Sequence, residues 1–359
     1  MNICPTQALA DAFVLLLSDT ERALSYGKPE CASDPLVVFL KDFRLKRINP
    51  IQQRSARMME GRYVLALVGL TNTGKSTLAE ALLGNPVAPR RNGPATSIPV
   101  EYEHGPEWLI KTCRRDTLEV FTTPLDTAQH VAAFLEKNVV NIEPREAKKI
   151  ERITVRGPMA AIQGGIVFAD TPGFGAADIV GSACSDEQRI ENYVANNVHE
   201  VLFCVNSANF TVKGEECKFF EHFDELCTTV VVTKWDCDPL NREAEICAYK
   251  ARFSHLFPLC RFMFIEAKWA IDAQARGDTI KLADSGSNDL HRFILERATR
   301  EGRETLLHQQ CLDAWHDLLE LVREPLQKSR LHAVPWRVDG IHRLGRAAKH
   351  LSLSLPNLT

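Results

Sequence analysis

The sequence predicts an α/β fold in which a mainly parallel sheet is covered by helices, with a small helical bundle contributed by segments on either side. Three observations carry this. From Arg62 onward, short apolar runs alternate with helical patterns, the texture of strand–helix–strand units. One of these runs, at 63–68, passes directly into a glycine-rich loop and then a helical pattern at 77–83. Helical periodicity without strand runs frames the region, at 6–26 and 35–60 before it and at about 288–330 after it.

The first helix is read from Leu9, Phe13, Leu16 and Leu17, and a proline-containing break separates it from the second. The strands are read from the apolar runs 63–68, 153–156, 166–169, 201–205, 229–233 and 262–265. In the last helical stretch Leu306, Leu307, Leu312, Trp315, Leu318, Leu319 and Val322 can share one face, and Pro325 sits near its end. None of the flanking helices can bury its stripe alone, so they are expected to pack together. The expected division is N-terminal helices at 1–61, a nucleotide-binding domain at 62–286, C-terminal helices at 287–330 and a basic tail at 331–359. The last thirty residues hold Arg330, Arg337, Arg343, Arg346 and Lys349 against one acid, Asp339. That local charge suits either a solvated tail folding back on the acidic neck or a peripheral contact with an anionic membrane surface.

Composition bounds the function. A chain of 359 residues, 45% hydrophobic and 25% charged, is an ordinary globular protein large enough for one big domain and an appendage. Its formal net charge of -3 provides no global attraction to nucleic acid or anionic lipid. Eleven cysteines without a CxxC pair argue against a secreted disulfide framework and for a cytoplasmic setting. The apolar run 13–17 is too short to span a bilayer, and no basic segment of a signal peptide precedes it. His199, His222 and Cys204 lack metal-ligand spacing and are read as structural.

Chemistry enters at 69–76, Gly-Leu-Thr-Asn-Thr-Gly-Lys-Ser, which matches GxxxxGK[ST] between a strand and a helix. Gly69 and Gly74 allow the tight turn, so that backbone N–H groups from Asn72 and Thr73 to Thr77 can surround a polyphosphate at the helix N-terminus. Lys75 reaches the β- and γ-phosphates and Ser76 ligates Mg²⁺. Asp170-Thr171-Pro172-Gly173 follows the run 166–169, where an aspartate can hold Mg²⁺ through a water and Gly173 can offer its N–H to the γ-phosphate. Thr96, in Pro94-Ala95-Thr96-Ser97, is the candidate switch threonine that completes the Mg²⁺ shell. Thr233-Lys234-Trp235-Asp236 fits the guanine-reading [NT]KxD pattern. An ionised Asp236 only accepts hydrogen bonds, so it matches guanine N1–H and N2 amino donors, a pair that adenine lacks. Lys234 lies along the purine, and the Ala267 and Lys268 amides of Glu266-Ala267-Lys268 stand where a backbone N–H meets guanine O6. The implied ligands are GTP, GDP and Mg²⁺.

From Arg62 to about Lys268 these motifs resemble the G domain of the dynamin superfamily, particularly its bacterial members. The likeness includes the more than seventy residues between Thr96 and Asp170, similar to the dynamin insertion, and the phrase Ile153-Thr154-Val155-Arg156-Gly157-Pro158 before the switch. It implies a P-loop GTPase with a neck bundle, G-domain homodimerisation or pairing with a dynamin-like partner across the nucleotide, and slow basal turnover. Three departures accompany it. Thr71 and Asn72 stand where eukaryotic dynamins carry Gln-Ser, and Phe174 stands where Ras-type enzymes keep a water-orienting glutamine. Only about ninety residues follow the last guanine motif, too few for a full stalk. Catalysis is therefore assigned to Lys75, Thr96 and Asn72, with the Asn72 side chain, the Thr96 backbone or a group from a second protomer orienting the water. Competing readings are an Era-like GTPase acting on ribosomes or RNA, which wants an RNA module the sequence does not display, and a nucleotide-bound scaffold that barely turns over.

Overall fold

The computed structural model describes residues 38, 41–88, 98–115, 117, 119–173, 186–207, 226–238, 240–257 and 260–299, with isolated positions at 217–223 and 303–317. The chain divides into two compact units, Gly61–Arg303 and a second made of Met1–Glu60 with Glu304–Thr359. The proposed first helix, Thr96, Phe174 and the basic tail lie outside the described residues. In the second unit the chain is helical from Lys41, with a π-helical turn Arg44–Ile48 leading into α1 (Asn49–Met59).

The larger unit runs β1 (Tyr63–Val68), α2 (Lys75–Leu83), β2 (Val100–His104), β3 (Trp108–Arg114), β4 (Val120–Leu125), α3 (Ala128–Leu135), β5 (Ile150–Gly157), β6 (Ile166–Asp170), α4 (Asp186–Asn197), β7 (Glu200–Asn206), β8 (Cys227–Thr233), α5 (Arg242–Phe253), β9 (Arg261–Ile265), α6 (Ala267–Arg276), α7 (Thr279–Asp284) and α8 (Ser287–Ala298). Among the described residues one sheet holds nine strands in the order β4-β3-β5-β2-β6-β1-β7-β8-β9. Five of its eight neighbouring pairs are parallel, and the antiparallel ones are β2–β6, β3–β4 and β3–β5. Six strands sit on the apolar runs of the sequence. The other three, β2 to β4, fill the long segment before Asp170 and extend one side of the sheet.

All six residues of β1 are buried, as a central parallel strand requires. Val64, Ala66 and Val68 join a cluster with Tyr193 and Val194 of α4 and with Tyr249 and Phe253 of α5. Along the other face α2 and α8 pack over β6, and α6 packs beside α2. The helical pattern expected from about residue 288 starts at Ser287 and is interrupted after Ala298, where Thr299 turns extended with φ -74° and ψ 145°; the described positions 303, 310, 313, 314, 316 and 317 are helical again. Helix α8 belongs to the larger unit.

This topology gathers the motifs. Strands β1, β6, β8 and β9 run in one direction, so the segments leaving their carboxyl ends meet along a single edge, the usual crevice of an open α/β sheet. Those segments are the glycine-rich loop, Asp170–Gly173, Thr233–Asp236 and Glu266–Lys268.

Candidate functional site

The loop between β1 and α2 is shaped by close approach. A Cβ on Gly69 would collide with the carbonyl of Cys204 on β7, so this position accepts no side chain without displacing the strand. Gly74 sits at φ 86° as the residue before α2, and Asn72 takes a left-handed φ of 65°. Thr73 donates its hydroxyl to the Leu70 carbonyl at 2.8 Å. Lys75 is buried, and its ammonium donates to the carbonyls of Gly69 at 2.9 Å and Leu70 at 2.8 Å. Burial holds that ammonium below its ordinary pKa, with the Asp170 carboxylate and the Cys204 thiol acting against the shift. A polyphosphate placed over the loop would supply the negative charge that the lysine lacks.

Across the loop Ser76 donates its hydroxyl to Asp170 Oδ2 at 2.7 Å. Asp170 is 1% exposed, and its other oxygen, Oδ1, is buried without a hydrogen-bond partner. Burial raises its carboxyl, while the Ser76 hydrogen bond and the Lys75 charge pull the other way. A buried carboxylate oxygen left unsatisfied costs about 1–3 kcal/mol or more. A hydroxyl and a carboxylate with a free lone pair form a hard oxygen set that suits Mg²⁺. Thr171 ties this turn to β1 through a 2.6 Å bond from its hydroxyl to the Leu67 carbonyl. A Cβ on Gly173 would come within 2.7 Å of Thr71 Cα, so the switch glycine lies directly against the phosphate loop.

The base-reading segments are bound to the same loop. The Thr233 hydroxyl contacts the Thr73 and Val205 carbonyls, and the Lys234 ammonium donates to the Asn72 carbonyl at 2.7 Å. Lys234 itself adopts φ 54°, and its carbonyl accepts from Ser207. Trp235 is buried against Phe264 (ring centroids 4.7 Å apart) and Tyr249 (5.7 Å), and its amide donates to Ile265 at 3.3 Å. That anchor leaves Asp236 exposed at the edge. Glu266 caps α6 by accepting from the Lys268 amide at 3.0 Å. The structure thus brings together Gly69, Asn72, Thr73, Gly74, Lys75, Ser76, Thr77, Asp170, Gly173, Thr233, Lys234, Asp236, Ala267 and Lys268.

Four contributors were not assigned to the site from sequence, Cys204 having been read there only as structural. Cys204 abuts Gly69, and burial pushes its thiol up to about 12, so it is an inert wall. Ser207 and Trp235 hold the base loop. Tyr102 lies fully buried with its phenol in the field of Asp170. The only local signal for any of them was the tryptophan inside TKWD.

A glycine loop at the carboxyl edge of parallel strands, an aspartate bonded to its serine and a TKxD segment clasped onto its backbone define a P-loop fold of the GTPase type. Residues 65–235 match the model of the Dynamin family. A bacterial dynamin-like protein of Nostoc punctiforme is 25% identical over 203 residues, which are 53% of this chain and 27% of the relative. A chain from a structure of an oligomerised bacterial dynamin pair, described as a mechanism for the long range sensing and tethering of membranes, aligns at TM-score 0.50 and 17% identity, over 92% of this chain and 59% of that one. The Dynamin-family match covers a little under half of the chain, from β1 to the base loop. The chain spans about a quarter of the length of the curated relative and 59% of the solved chain. Among the described residues no helix is long and apolar enough to cross a membrane.

Proposed function

We propose that this chain binds GTP with Mg²⁺ and hydrolyses it to GDP and phosphate, as a dynamin-like GTPase whose nucleotide state controls self-association and a peripheral membrane contact. The observation that carries the reading is the buried, unpartnered Asp170 Oδ1 beside the Ser76 hydroxyl, within a phosphate loop that Lys234 clasps from the base side. Lys75 neutralises the β- and γ-phosphates, and the amides of residues 72–77 hold them at the start of α2. Ser76 and Asp170, with Thr96, would hold Mg²⁺, which offsets charge on the phosphates when bound. Gly173 presents its N–H to the γ-phosphate from a position already against Thr71. Positioning and charge neutralisation supply most of the catalysis. Asn72, the Thr96 backbone or a second protomer orients the water. The flanking segments form the neck, 1–61 together with the part of 287–330 that lies beyond α8 and the larger unit, and the tail at 331–359 supplies the membrane contact.

Hydrolysis measured against protein concentration tests this. Specific activity is expected to rise with concentration, as facing G domains complete each other's sites. GTP turnover that is negligible at every concentration would replace the reading with that of a nucleotide-bound scaffold.

Base selection follows from Asp236. Asp236→Asn is expected to weaken GTP and to favour xanthosine triphosphate, because an amide can donate to the oxo group that replaces the guanine amino group. Competition assays check this; a wild type that prefers ATP refutes the guanine assignment.

A further inference from the structure

A second carboxylate, Glu266, lies on the segment beside the base-reading loop. Glu266 is only 7% exposed, buried between the loop after β8 and the start of α6. Its backbone amide donates to Ser285 at 2.9 Å, and one carboxylate oxygen, Oε1, caps the Lys268 amide at 3.0 Å. The Trp235 amide donates to the Ile265 carbonyl, so the residue before Asp236 is bonded to the residue before Glu266. These bonds set the segments that carry the two acids side by side at the carboxyl edge of β8 and β9. The charged groups around Glu266 are Asp236 and Lys234 from the base loop, Lys268 on its own helix, and Arg242 of α5, which donates to the Phe264 carbonyl at 3.1 Å and to that of Asp284 at the end of α7.

We propose that Glu266 is a positioning residue of the guanine pocket, one that supports base binding when its carboxyl carries a proton and opposes it when ionised. This rests on the GTP-binding reading above. The chemistry is that of two acids and one base. Asp236 must remain an ionised acceptor for guanine N1–H and N2–H, and the arriving base strips water from both acids. A neutral Glu266 keeps its proton and can donate it as a hydrogen bond toward the Asp236 carboxylate from the oxygen not used by the Lys268 amide, holding that carboxylate toward the base. An ionised Glu266 adds a like charge beside Asp236 and faces guanine O6, itself an acceptor. Burial already raises the Glu266 carboxyl above its ordinary value, and Asp236 raises it further, while the Lys268 amide, Lys268 and Lys234 act against them. Guanine binding deepens the burial and fixes the Asp236 charge, so it favours the protonated form. Affinity therefore falls as pH rises past the Glu266 pKa of the unliganded protein, which burial holds above its ordinary value.

The test is the affinity of the full-length protein for GDP between pH 5 and pH 8.5, in wild type and in Glu266→Gln. An amide keeps an acceptor oxygen for the cap and cannot ionise. Taking the ratio of the two affinities cancels the titration of the phosphates. Expected is a ratio near one at the acid end that grows with pH to about fivefold in favour of Glu266→Gln, within the tenfold per pH unit that one linked proton allows. Glu266→Ser, which retains a capping oxygen, should follow the same curve and serves if the glutamine variant does not fold. A ratio that stays flat across the range, or variants that bind GDP more weakly than wild type at every pH, overturns the proposal. A wild type that binds ADP as well as GDP refutes the guanine reading instead, so the two failures are distinguishable.

Discussion

Lys75→Ala is expected to weaken GTP binding about a hundredfold or more, the scale of losing charge-assisted hydrogen bonds to a phosphate. The same variant should keep its fold. Lys75 is buried with its ammonium turned onto the Gly69 and Leu70 carbonyls of its own loop. Burial there disfavours the charge, so removing the charge also removes an unfavourable term, which offsets the two lost hydrogen bonds. Thermal unfolding should then shift by only a few degrees while binding of a fluorescent GTP analogue collapses. Unchanged affinity in a folded Lys75→Ala protein would remove the phosphate-site assignment. A melting point lowered by tens of degrees would instead show that the lysine holds the loop together.

What could be read from sequence depended on whether the stabilising partners are close along the chain. Strands β1, β6 and β8 show as apolar runs because a central parallel strand is buried on both faces. The phosphate loop is legible because its glycines, lysine and serine act within eight consecutive residues. By contrast β2, Val-Glu-Tyr-Glu-His, alternates with period two, yet its glutamates hide it from a search for apolar runs. Glu101 is fully buried all the same. It accepts from Arg62 at 2.9 Å, Thr154 at 3.0 Å and Tyr193 at 2.9 Å, and Arg152 lies 3.6 Å away. Those partners are 39, 53 and 92 residues away in sequence for the three hydrogen bonds. Only the folded sheet reveals that the charge is satisfied. The bond from Lys234 to the Asn72 carbonyl, spanning 162 residues, was hidden for the same reason, although both ends had been assigned separately.

Glu200→Ala is expected to destabilise the protein by about 3–5 kcal/mol, the usual cost of breaking a buried ion pair from one side. Glu200 stands at the first position of β7, where it cut the apolar run short in the sequence, and it is completely buried. Arg297 grips it with two hydrogen bonds, of 2.8 Å and 3.1 Å, the Tyr63 hydroxyl donates at 3.0 Å, and Thr228 donates as well. Burial, reinforced by the Glu200 charge, raises the Tyr63 phenol well above its ordinary pKa, so it remains a donor. Arg297 also lies over the Phe293 ring at 4.9 Å, and Arg303, over Tyr63 at 5.6 Å, donates to the Arg297 carbonyl at 2.7 Å. Alanine would leave Arg297 a cation without its carboxylate and Tyr63 a donor without its acceptor. Pairing Glu200→Leu with Arg297→Met should therefore recover most of the loss, because the penalty comes mainly from the unpaired charge. The cluster sits where β1 begins, and the phosphate loop leaves the other end of that strand, so folded Glu200→Ala should bind GDP as wild type does. Denaturant midpoints and GDP affinity measured on the same preparations decide the matter. A single-variant loss below about 1 kcal/mol, or a double variant no more stable than the single one, would show that Glu200 is not the hub of this cluster.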